Sequence, residues 1–118
     1  MQAFIAPLVE LAEFEIVQKK LKKEKGIVQF AGCVNSQKTH MMYALSDGFD
    51  FKIIATSSEL KAKQIYEEYR VLAQNVFLYP AKDLLFYQAD LRGKYLLKQR
   101  MEVFQAILEQ KNVVVITS

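Results

Sequence analysis

The residues of this chain best placed to do chemistry are Gly32-Cys33-Val34-Asn35-Ser36-Gln37-Lys38-Thr39. Set against the phosphate-loop pattern G-x-x-x-x-G-K-[ST], the segment keeps the first glycine, the lysine and the hydroxyl residue, and puts Gln37 where the second glycine belongs. In such a loop successive backbone N–H groups curl round the phosphates, the lysine ammonium neutralises the β and γ groups, and the hydroxyl holds Mg²⁺. Glycine lets the backbone come close. A glutamine side chain crowds that cradle, and Cys33, Val34, Asn35 and Ser36 offer no other glycine to relax it. Gly32, Gln37, Lys38 and Thr39 are therefore the candidate nucleotide-contacting residues of a degenerate phosphate loop that binds weakly or not at all. A lysine-threonine pair at a helix start also arises by chance, which is the plain alternative.

The other reactive side chains form no constellation. An NTPase needs an acid at the end of a second strand to order Mg²⁺ and water. No other predicted strand ends in Asp or Glu, and the nearest candidate, Asp83, lies four residues past Tyr79 in a loop opened by Pro80. His40 has no Cys, Asp or second His at ligand spacing, so no metal site is predicted, and no catalytic residue is assigned. Cys33 reads as a spacer in the turn. Arg100, between Leu97 and Phe104, is expected to pair with Asp83 or Asp90. Tyr66 and Tyr69 fall at core positions of a helix rather than on a base-stacking platform, whereas Phe86 and Tyr87 lie in an irregular segment and could meet a neighbouring domain.

The elements that must position these residues follow from periodicity. A helix is predicted from about Pro7 to Lys25, with Ile5, Leu8, Val9, Ala12 and Ile16 at helical spacing, ending at Gly26. Ile27–Ala31 reads as the first strand, stopped by Gly32. A helix from about Lys38 turns Met41, Met42 and Leu45 inward and is closed by Asp47-Gly48. Phe51–Ala55 is the second strand. Thr56-Ser57-Ser58-Glu59 has capping-box spacing, with Thr56 accepting from the Glu59 N–H. The helix that follows carries Ala62, Ile65, Tyr66, Tyr69, Leu72 and Ala73 on one face, before the strand Val76–Tyr79 and Pro80. Residues 80–93 have no clean period yet are too apolar for a solvated loop. From about Lys94 a last helix presents Leu97, Met101, Phe104 and Leu108 on its apolar face, and Val113–Thr117 is the last strand.

Continuously apolar strands alternating with helices mean a parallel sheet covered on both faces. The predicted fold is a doubly wound α/β sheet of phosphate-loop NTPase type. It is incomplete, since the chain ends one residue after a strand that should be buried. Residues 1–25 form an amino-terminal helix and 26–118 the first part of the α/β domain.

Composition sets the outer limits. The 118 residues are 52% hydrophobic and 25% charged, which excludes a disordered, collagenous or disulfide-framework chain, and the single Cys33 permits no internal disulfide. No signal peptide is recognised, no apolar run approaches the roughly 20 residues of a membrane span, and a cytoplasmic location is expected. Sixteen basic against 13 acidic residues give a net charge of +3. Lys19, Lys20, Lys22, Lys23 and Lys25 read as a solvated helix end that complements the helix dipole, with contact to DNA as the alternative.

The stretch Leu78-Tyr79-Pro80-Ala81-Lys82-Asp83-Leu84-Leu85-Phe86-Tyr87, followed by Arg100 in a helix and by Val113–Thr117, resembles the amino-terminal module of bacterial transcription-repair coupling factors, the module they share with excinuclease B. The likeness runs from Gly26 to Ser118 and includes the decayed loop. Lys38 and Thr39 survive here, a departure from the commoner coupling-factor pattern that leaves anion binding open. The long aromatic hairpin with which excinuclease B clamps DNA has no counterpart in the short 80–93 segment. The resemblance implies a larger protein acting in transcription-coupled nucleotide excision repair: an ATP- and Mg²⁺-dependent DNA translocase that displaces stalled RNA polymerase and recruits excinuclease A. RNA polymerase, DNA and, for the most part, excinuclease A would be bound by other domains, leaving this part as scaffold without a cofactor of its own. The alternative is a phosphate-loop ATPase half-domain that still binds ATP and is completed by residues beyond 118.

Overall fold

The structure, a computed structural model, describes residues 2–23, 26–81 and 89–118. The chain divides into two compact units, Met1–Asp47 and Gly48–Ser118.

The first unit is helical: α1 (Gln2–Val9), α2 (Ala12–Lys23) and α3 (Asn35–Leu45). Leu8, Phe14, Ala44 and Leu45 are its buried core, with Ile5, Val17, Leu21 and Met41 packed against them. His40 adds a polar tie, its Nε2 hydrogen-bonded to the Phe4 carbonyl. The single helix expected from Pro7 to Lys25 is instead two helices. Pro7 lies inside α1, and the chain turns at Glu10–Leu11, where Leu11 N–H donates to Leu8 O (3.1 Å) and Phe14 N–H to Leu11 O (3.0 Å). The turn brings Leu8 and Phe14 into one core. Glu24 and Lys25 lie outside the described residues.

Ile27–Ala31, expected as the first strand, is irregular, and Ile27 is 94% exposed. A strand is stable only when a neighbour takes its N–H and C=O groups. This run forms no ladder, so its β-forming residues do not become a strand. The turn and the helix of the expected phosphate loop are therefore present without the strand that should lead into them.

The second unit is α/β: β1 (Phe51–Ala55), α4 (Glu59–Leu72), β2 (Val76–Leu78), α5 (Ala89–Glu109) and β3 (Val113–Thr117). The strands form a three-stranded parallel sheet in the order β1-β3-β2, with Ile53 and Phe77 both opposite Val115. Pairing continues past the strand ends, where Tyr79 N–H donates to Ile116 O (2.8 Å) and Thr56 N–H to Thr117 O (2.9 Å). From β1 the chain crosses two positions to β2, then returns one position to β3. Right-handed crossovers running in opposite directions put α4 and α5 on opposite faces. Burial agrees. Val113 and Val115 pack with Val103 of α5, while Val114 and Ile116, pointing the other way, are 1% and 0% exposed, and Ala62 and Tyr69 are the buried residues of α4. The α/β class and the parallel sheet thus stand in the structure as expected.

Local details depart from expectation in two places. The cap of α4 is Ser58, whose Oγ accepts from Lys61 N–H (3.3 Å), while Thr56 Oγ donates to Ser58 O (2.8 Å). The helix begins at Glu59, which makes Lys61 its third residue and moves the cap two positions along. In α5, which begins at Ala89 and not near Lys94, the expected apolar face of Leu97, Met101, Phe104 and Leu108 is exposed. Val103 and Ala106 turn to the interior instead. No helix among the described residues is long and apolar enough to cross a membrane.

Two-sided burial of β3 makes it the costliest place to remove atoms. Ile116→Ala is expected to destabilise the protein by roughly 2–5 kcal/mol, and Leu108→Ala by less than about 0.5 kcal/mol. Chemical denaturation of both variants measures the contrast.

Candidate functional site

The loop entering α3 is built around a glycine that no other residue replaces well. Gly32 has φ +79° with open space where a Cβ would stand, so its requirement is conformational, not steric. Val34, extended at φ −73° and ψ 162°, caps α3, and Lys38 N–H donates to Val34 O at 3.0 Å to close the first turn.

Gln37 falls within that first turn and reaches back, its Oε1 accepting from the Val34 N–H at 3.4 Å. The contact is long and exposed, hence weak, but its sense matters. A carboxamide oxygen occupies one of the N–H groups that an anion at this helix start would use. The residue standing where the loop pattern wants glycine thus meets one donor of the loop from within.

The surviving motif residues diverge. Lys38 is exposed, whereas Thr39 is 3% exposed and sits in the packed part of α3. Gly32 and Gln37 are exposed like Lys38. Cys33 is half-buried, and His40 is engaged with Phe4. Among the described residues no group of three His, Cys, Asp or Glu side chains could hold a metal ion. Asp83 lies outside the described residues.

A second polar corner, at the carboxyl end of β2, was not legible in full from spacing. Arg100 forks onto the Pro80 carbonyl through Nε (3.3 Å) and Nη2 (3.2 Å) and lies 5.5 Å from the centre of the Tyr79 ring. Tyr79 meets Phe104 edge to face at 6.1 Å. A carbonyl and a ring face are the partners of Arg100 among the described residues; Asp83 and the Asp90 side chain, its expected partners, are not described. The sequence signal for this corner is Arg100 four residues before Phe104 on one helix, with the Tyr79-Pro80 strand end to receive both.

The remaining candidates fall on structural roles. Tyr69 is buried core and Tyr66 lies beneath Arg70, 5.8 Å from the guanidinium. Phe86 and Tyr87 lie outside the described residues. Lys19, Lys20, Lys22 and Lys23 are exposed, with Lys19 paired to Glu15 at 2.7 Å, a contact that lowers the Glu15 pKa. Burial, reinforced by the charge of Asp47, raises the pKa of Tyr43 on α3.

Compared with protein-family models, curated proteins and solved structures, the chain matches none.

Two measurements test this geometry. Gly32→Ala forces a side chain into the left-handed region and is expected to cost about 1–2 kcal/mol, whereas Gly93→Ala, in α5 with free space around it, is expected to stabilise by roughly 0.5–1 kcal/mol. Urea midpoints of the two variants should move in opposite directions. Tyr43 supplies the pH test. Its folded pKa is above the unfolded value, so the stabilisation it contributes is complete below the unfolded pKa and is lost as the pH climbs through the folded one. Stability followed upward from about pH 9 should fall less in Tyr43→Phe than in the parent.

Proposed function

We propose that this chain is a non-catalytic scaffold and interaction module of the transcription-repair coupling-factor type, built on a phosphate-loop NTPase-like sheet whose loop has lost its chemistry. In this reading ATP and Mg²⁺ serve other parts of a longer, cytoplasmic DNA translocase. Excinuclease A, RNA polymerase and DNA are engaged mainly through those other parts.

The observation that carries the non-catalytic reading is the Gln37 carboxamide on the Val34 N–H. A loop whose own side chain takes an anion-binding donor starts with a competitor in place, and a nucleotide has to displace it. The divergence of Lys38 and Thr39 works in the same direction, because a phosphate loop uses the pair on one ligand. For the family assignment, the support is that residues quoted for the resemblance also meet in space: Tyr79, Pro80 and Arg100 form one corner at the end of β2.

A second reading, an ATPase half-domain that still binds nucleotide, is favoured by one feature, the solvent-facing Lys38 ammonium beside the amino terminus of α3.

Calorimetric titration with Mg-ATP separates the two. The parent is expected to give no binding heat and Gln37→Gly a measurable one, since glycine removes the competing carboxamide and opens the backbone. Equal, saturable heats in both proteins would overturn the scaffold reading in favour of the ATPase.

A further inference from the structure

Helix α5 carries two apolar stripes; the inner one covers the sheet, and of the outer one Phe104 meets Tyr79 edge to face. Val103 and Ala106 face inward, whereas Leu97, Met101, Phe104 and Leu108 are 60%, 59%, 51% and 85% exposed. Their spacing of four, three and four residues is that of alternating d and a positions in a heptad. A stripe with this period is straight along a helix and suits another helix laid beside it. Scattered surface leucines would not share it.

The charges beside the stripe have one sign. In the same heptad frame Lys94 takes the preceding a position, and Lys98 and Arg100 take the flanking e and g positions. Glu102 and Glu109 fall at b, away from the seam, and the Gln105 amide donates to Glu109. Lys98 is only loosely held by Glu102, at 4.0 Å with both side chains exposed. Arg100 is fixed by Pro80 and Tyr79, which anchors that border to the end of β2.

We propose that this outer stripe of α5 is a docking seam for an amphipathic partner helix with an apolar a/d face and acidic flanking residues, its carboxylates meeting Lys94 and Lys98. Self-pairing is disfavoured by the same charges. Two antiparallel copies of α5 in register about the Met101–Phe104 midpoint supply no acid to Lys98, because Glu102 and Glu109 fall at b.

The test uses the whole chain and two labelled synthetic helices, each with leucine at a and d, one flanked by glutamate and the other by lysine. Fluorescence anisotropy is expected to show saturable binding of the glutamate peptide, at least roughly tenfold tighter than the lysine peptide, and weakened by raising NaCl to about 0.5 M. Met101→Asp with Leu108→Asp should abolish binding while leaving the melting temperature unchanged, because both side chains are exposed. Lys98→Glu, which alters no apolar contact, should narrow the preference between the peptides. Equal binding of the two peptides, no binding of either, or binding that survives the double aspartate variant would overturn the proposal. So would sedimentation showing that the chain dimerises through the stripe.

Discussion

The second unit depends on β3 being buried from both sides. Each residue from Val113 to Ile116 is at most 6% exposed, and the strand is hydrogen-bonded to β1 along one edge and to β2 along the other. An apolar strand in that position has no polar face to offer, so both of its faces must be covered. The two crossover helices follow from this requirement. So does the Arg100 corner, since α5 lies where it covers Val113 and Val115 and thereby delivers Arg100 to the Pro80 carbonyl.

Where a local signal and its partner both exist, the structure could be read from the residues. Phe51–Ala55 and Val113–Thr117 have the limits that their apolar runs suggest, and Tyr79, one residue past β2, still donates to Ile116. Ile27–Ala31 carries the same type of signal and forms no strand, because pairing is a property of the neighbour and no local pattern encodes it. Helix α5 misleads for a different reason. It has two apolar stripes, and the more hydrophobic one is outside; the inner stripe passes through Arg100 and relies on small residues such as Ala106. Period alone ranks the stripes by hydrophobicity, whereas the sheet selects by shape.

The candidate loop shows the same division. The substitution of glutamine for glycine at position 37 is visible in the residues, and so is its consequence for an anion cradle. That Gln37 bonds back to the Val34 N–H is visible only with the helix start located at Asn35.

In the scaffold reading the turn at Gly32–Thr39, with the Gln37 carboxamide on the Val34 N–H, does not bind a triphosphate. Nitrogen-15 amide spectra of the protein, recorded while Mg-ATP is added, address it residue by residue. The amides from Gly32 to Thr39 are expected to keep their positions throughout the titration. Saturable displacement of the Val34 and Lys38 resonances, centred on that turn, would contradict it.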